Sequence, residues 1–164
     1  MKYAVILILA LSLFSCNQQS NTIKVLQNRI DSLETQLAEV YKPGFGELMT
    51  NVQSHHSKLW FAGKYQNWKL AKFEIKELNE IVADILKYQT ERKESQYIKM
   101  MNPALDSVNI AIEQKNKILF KTSYTLLTNS CNECHLLTNF EYNIVKIPDS
   151  SPFSNQDFKT KKIN

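Results

Sequence analysis

Five residues near the end of the chain, Cys131-Asn132-Glu133-Cys134-His135, combine types and spacing that specify a chemistry. On a helix, residues three apart lie on one side, so both thiols face the same way. Two such thiols can form thioether bonds to the two vinyl groups of one porphyrin. The imidazole that follows then stands beneath the central metal as an axial ligand. The expected cofactor is one covalently bound haem c, attached at Cys131 and Cys134, with His135 on the iron. C-x-x-C has two other common uses. A redox dithiol opens a helix after a strand, whereas this pair closes a helix-like segment. A zinc tetrad needs a second ligand pair, and no further C-x-x-C or H-x-x-x-H is present.

The remaining cysteine, Cys16, has a separate use. Residues 1–15 hold one lysine, Lys2, then an apolar run from Ala4 to Leu11, too short to anchor in a bilayer. Leu13-Phe14-Ser15-Cys16 resembles a bacterial lipobox, with Leu13 at minus three, a small Ser15 at minus one and a bulkier Phe14 than usual between them. Lipidation at Cys16 is the expectation; the alternative is an ordinary signal with a chance cysteine. With no cysteine left over, no disulfide framework is implied. A bacterial periplasmic location follows, with lipid tethering to the envelope. Asn17 does not match inner-membrane retention, which favours the outer membrane.

The formal charge of +4 falls to +3 once Lys2 leaves with the signal. Lysines are interleaved with acids, which reads as a solvated surface and gives no nucleic-acid footprint; residues 159–162 form a small basic cluster in the tail. Residues 16–43 read as a polar tether and a narrow stalk. Ile23, Leu26, Ile30, Leu33, Leu37 and Val40 recur in alternating steps of three and four, a heptad seam stopped by Pro43-Gly44. The segment Arg29-Ile30-Asp31-Ser32-Leu33-Glu34 also resembles a short trimeric coiled-coil motif. Such a seam either joins copies of the chain or lies on the main domain.

Residues 44–135 carry four helical patterns and no convincing strand, so the expected class is all-α: an antiparallel four-helix bundle with an N-terminal coiled-coil-like helix and an irregular C-terminal tail. The first helix runs over 45–62 and stops at Gly63. The second follows Asn67 as N-cap to Tyr88. A charged connection over 90–96 leads to a third helix from Asn102-Pro103 to Glu113. The fourth begins near Asn116 and holds Phe120, Tyr124, Leu127, Cys131 and Cys134 at helical spacing. Residues 136–164 form the tail, with a short extended piece over 140–147. Phe140, Ile144, Ile147 and Phe153 are expected to fold back over the haem edge.

A four-helix bundle with C-x-x-C-H on its last helix resembles the class II cytochromes c, the cytochrome c-prime group, over residues 45–135. The resemblance implies that His135 is the proximal ligand and that a first-helix residue faces the other side of the iron. A methionine bound there implies electron transfer; an apolar, unbound residue implies a five-coordinate iron that takes nitric oxide or carbon monoxide. In an up-down-up-down order the end of the fourth helix lies beside the start of the first, which brings Met49 closest to His135. His55 and His56 lie about 9–10 Å further along the axis at about 1.5 Å per residue. His56 shares the face of Met49 and is the better competitor. Met49 as core filler, and His55 or His56 as hydrogen-bonded edge residues or propionate partners, are the alternatives. Lys58 is a further propionate candidate.

No nucleophile–base–orienter set or phosphate loop is present, and Glu77 and Glu80 read as helix surface, so no enzyme is expected. The expected function is single-electron transfer to redox partner proteins from a membrane-tethered cytochrome. The alternatives are a gas-binding haem protein and a structural envelope lipoprotein with auxiliary haem.

Overall fold

The computed structural model describes residues 20–37, 40 and 42–160. The signal segment, Cys16 and the last residues of the basic cluster lie outside the described residues. The chain divides into two compact units, the first ending at Lys42 and the second beginning at Pro43. In the first unit, residues 20–37 form one exposed helix, α1. Among the described residues no coiled coil is seen: the expected seam is there, and its apolar side chains face solvent.

The second unit is all-helical. It contains α2 (Phe45–Lys64), α3 (Trp68–Tyr88), the short α4 (Lys93–Tyr97), a 3-10 turn (Ile98–Met101), α5 (Asn102–Glu113) and α6 (Lys117–Leu137). α2 packs on α3, α3 on α5, α5 on α6, and α6 on α2. Their facing stripes bury Leu59, Ile75, Leu78, Ile85, Val108, Phe120, Tyr124 and Leu127 almost completely.

The α2–α3 and α5–α6 connections and the exit from α6 are made by one repeated device. Gln66, Lys115 and Asn139 adopt left-handed φ of 59°, 50° and 65°. Each is followed by a residue whose N–H reaches back five positions: Asn67 to the Ala62 carbonyl, Asn116 to Ala111, Phe140 to His135. This pair of helix-closing hydrogen bonds usually selects glycine at the left-handed position. Two of the following residues then start the next helix. The Asn67 side chain accepts from the Leu70 N–H, and the Asn116 side chain from the N–H groups of Ile118 and Leu119. Stop and start thus fit into three residues, so α2 is followed at once by α3, and α5 by α6, and each pair packs together.

Three expectations need correction. Gly63 does not stop the first helix, which continues to Lys64. It is needed for a close approach: a Cβ there would overlap the ring of Phe120 on α6. The charged connection is partly helical, and the 3-10 turn that follows it buries Ile98 and Met101 in the core, each 2 % exposed. The tail forms no strand among the described residues, and 141–143 turn, so an extended piece does not run through 140–147. Ile144 is exposed, while Val145 and Ile147 pack against the core. Phe158, which the sequence pattern did not mark, is buried against Phe61, and its carbonyl accepts from the Asn67 side chain.

Candidate functional site

The end of α6 meets the start of α2 and the α4 region around a cavity of about 350 Å³. Its walls are Phe45, Gly46 and Met49 from α2; Arg92, Glu94, Ile98 and Met101 from the α4 segment; Cys131, Cys134, His135 and Thr138 from α6; and Phe140 and Asn143 from the tail. A larger open groove of about 960 Å³ shares Met49, Cys131, His135 and Asn143 with it and runs on past Val52 and His56 to Lys146 and Phe153. Both volumes suit a small prosthetic group. Met49 thus lines the same cavity as Cys131, Cys134 and His135.

Cys131 and Cys134 are unpaired and buried. Burial, with the neighbouring Cys134, pushes the Cys131 thiol up to about 12. Burial and the Glu94 carboxylate also push the Cys134 thiol upward. Both are neutral thiols near the C-terminal end of a helix. That is the reverse of the electropositive, helix-N-terminal setting that activates a redox dithiol. Among the described residues no three His, Cys, Asp or Glu side chains converge to hold a metal ion, so these residues offer no zinc tetrad.

His135 is oriented by the tail. The left-handed turn at Asn139 sends the chain back, and the Asn143 N–H bonds the Phe140 carbonyl. The Asn143 carbonyl then accepts a hydrogen bond from His135 Nδ1. A carbonyl only accepts, so Nδ1 carries a proton, and in the neutral tautomer this selects, Nε2 is the nitrogen with the lone pair. That is how proteins fix the tautomer of a metal-binding imidazole. Asn132, inside the motif, pins the same segment: its side chain donates to the Val145 carbonyl (2.9 Å) and accepts from the Val145 N–H (2.8 Å).

The two α2 histidines are committed elsewhere. His56 is 4 % exposed. The Thr128 hydroxyl donates to the Tyr124 carbonyl, so its oxygen accepts from His56 Nε2 at 3.0 Å. Nδ1 then accepts from the Tyr124 hydroxyl at 2.9 Å, a proton that also faces the His56 carbonyl. Burial lowers its pKa to about 4, so the ring is neutral and both nitrogens are used. His55 lines neither cavity: its Nδ1 meets the Glu74 carboxylate at 2.7 Å across α2 and α3. Glu74 is 1 % exposed, and burial raises its pKa against the opposing pull of His55. Lys58 places its ammonium 4.9 Å over the Phe153 ring.

Four site residues were not marked by the sequence pattern. Met101 puts a second thioether on the cavity wall. Arg92 is the cation in the lining of the smaller cavity, stacked 4.5 Å over Phe45 and donating to Glu94 at 2.9 Å, which holds the Glu94 carboxyl below its usual range. Asn132 and Asn143 act through the tail. The arginine and Met101 sit in a stretch without periodicity, and the two asparagines act through backbone groups that no spacing rule reveals.

The donor set fits a covalently attached haem: two neutral thiols on one helix face, an imidazole with a free Nε2, an apolar wall carrying thioethers, and a guanidinium at the rim. No protein family, curated protein or solved structure matches the chain.

Proposed function

We propose that the protein is a c-type cytochrome that carries single electrons, built as an antiparallel four-helix bundle on an N-terminal helical stalk and anchored through a lipid at Cys16 to the bacterial envelope. The observation that carries this reading is the Asn143 carbonyl on His135 Nδ1, directly beside two thiols that are neutral and unpaired. A haem bound there supplies an Fe(III)/Fe(II) couple. Cys131 and Cys134 would hold it and His135 Nε2 would be one axial ligand. Met49, half-buried and lining the same cavity, would supply a thioether to the iron.

The remaining residues orient and exclude water. Asn143 and Asn132 hold the tail against the imidazole face, and Phe45, Ile98 and Met101 keep the wall apolar. A low local dielectric of this kind tunes a metal couple. His56 and His55 are structural in this reading, since ligation would strip hydrogen bonds from buried partners.

Pyridine haemochrome analysis and intact mass of the protein exported in a haem-attaching host test the reading. One added haem, lost on replacing Cys131 and Cys134 by alanine, is the expected result. Absence of added porphyrin in exported wild-type protein would remove it. A reduced high-spin spectrum with ready carbon monoxide uptake would keep the haem and replace electron transfer by gas binding.

A further inference from the structure

Ile23, Leu26, Ile30, Leu33, Leu37 and Val40 are between 48 % and 86 % exposed. Their steps of three and four put Ile23, Ile30 and Leu37 at one seam position of a heptad and Leu26, Leu33 and Val40 at the other. One isolated helix of this length, with its apolar face in water, has little stability of its own. The polar residues between are not arranged at random. Gln27 donates to Asp31 at 2.9 Å, Gln36 to Ser32 at 3.3 Å, and Thr35 to the Asp31 carbonyl at 2.8 Å, so these satisfy one another along the helix. Arg29 and Glu34 flank the seam on opposite sides, and among the described residues neither has an ion-pair partner within the chain.

We propose that this seam is where copies of this chain join, parallel and in register, with Arg29 of each helix bridging to Glu34 of the next copy. In a parallel coiled coil the residue before one heptad faces the residue after the second seam position of the partner, five further along. Arg29 and Glu34 have that separation. An antiparallel pair sets like positions against each other and offers no such bridge. The occupant is thus another copy of this chain: the same six side chains supply both surfaces, and the charges are self-complementary only in this orientation. Val25 alone among the exposed apolar residues of α1 lies off the seam.

The test is sedimentation equilibrium on the mature chain, residues 17–164, exported behind a cleavable signal so that no lipid is attached. A mass of two or three chains, falling to one in Leu33→Asp, is expected. Arg29→Glu should weaken association about tenfold, because every copy loses a bridge and gains a like-charge contact. Arg29→Glu/Glu34→Arg should restore it to within about threefold of the starting value on the same reasoning. A monomer at every concentration overturns the proposal, and so does a charge-swapped double variant no stronger than Arg29→Glu. The haem content, read from the absorption spectrum of each variant, is independent of the outcome, since the seam lies before Pro43.

Discussion

Gly63→Ala separates helix propensity from packing, because the two demand opposite signs. Gly63 sits inside α2, where alanine is favoured over glycine by about 0.8–1.0 kcal/mol. Against that gain, the new methyl would fall within the Phe120 ring. Phe120 is 0 % exposed and enclosed by Trp60, Trp68 and Tyr124 at centroid distances of 6.3, 6.1 and 5.9 Å. The ring has no open side to swing into, so α2 and α6 must separate. Overpacking of this kind costs about 1–3 kcal/mol, and contact with the body of a ring places it at the upper end. The net loss is then about 2 kcal/mol, or a fall in Tm of roughly 5–10 °C for a unit of this size. Guanidinium and thermal unfolding followed by circular dichroism measure it. Phe120→Leu should remove the clash, so that Gly63→Ala made on that background costs nothing or stabilises. If Gly63→Ala stabilises the otherwise unchanged protein by about 1 kcal/mol, propensity alone governs this position and the close approach of the two helices is wrong.

Met49→Ala should abolish the sulfur-to-iron charge-transfer band of the oxidised haem-loaded protein; a band that persists would move ligation to another sulfur, with Met101 on the same wall as the replacement. His56 has a folded pKa near 4 against 6.5 when free, so the native state resists its protonation. Stability should be unaffected by this group above pH 6.5 and fall by ~3 kcal/mol as pH drops from 6.5 to 4. Guanidinium titrations across that window should show the slope reduced in His56→Leu, whatever that variant's absolute stability. Asn132→Ala removes both hydrogen bonds to Val145, a loss of about 1–2 kcal/mol that acts on the tail. Limited proteolysis should then cut residues 145–158 faster, and an unchanged cutting rate would mean that the packing of Val145, Ile147 and Phe158 holds the tail without Asn132.

Strong periodicity with polar caps is legible in the chain. Asn67 and Asn116 mark the starts of α3 and α6, and the steps through Phe120, Tyr124, Leu127, Cys131 and Cys134 suffice to put both thiols on the inner face. The position of Met49 follows from helix order alone. Gly63 misleads because glycine has two uses in helices: it ends them through a left-handed φ, and it lets another element come close. Here Gln66 takes the first use and Gly63 the second, a distinction that depends on Phe120 from a helix far along the chain. Ile98 and Met101 lie in a segment too short to show a period, so their burial depends on how the 3-10 turn packs on α3, α5 and α6. The roles of His55 and His56 are hidden for the same reason, since Glu74, Tyr124 and Thr128 are distant in sequence.

Burial of Cys131 carries a consequence for the order of events in biogenesis. A side chain with 7 % of its surface open, whose sulfur holds its proton up to about pH 12, is beyond the reach of a bulky modifying enzyme once the fold is complete. Whatever becomes bonded to that sulfur must arrive while the last helix is still undocked. If the proposed thioether bond forms, final assembly of the domain is a step that follows it, and a chain that folds first would be locked out of that attachment.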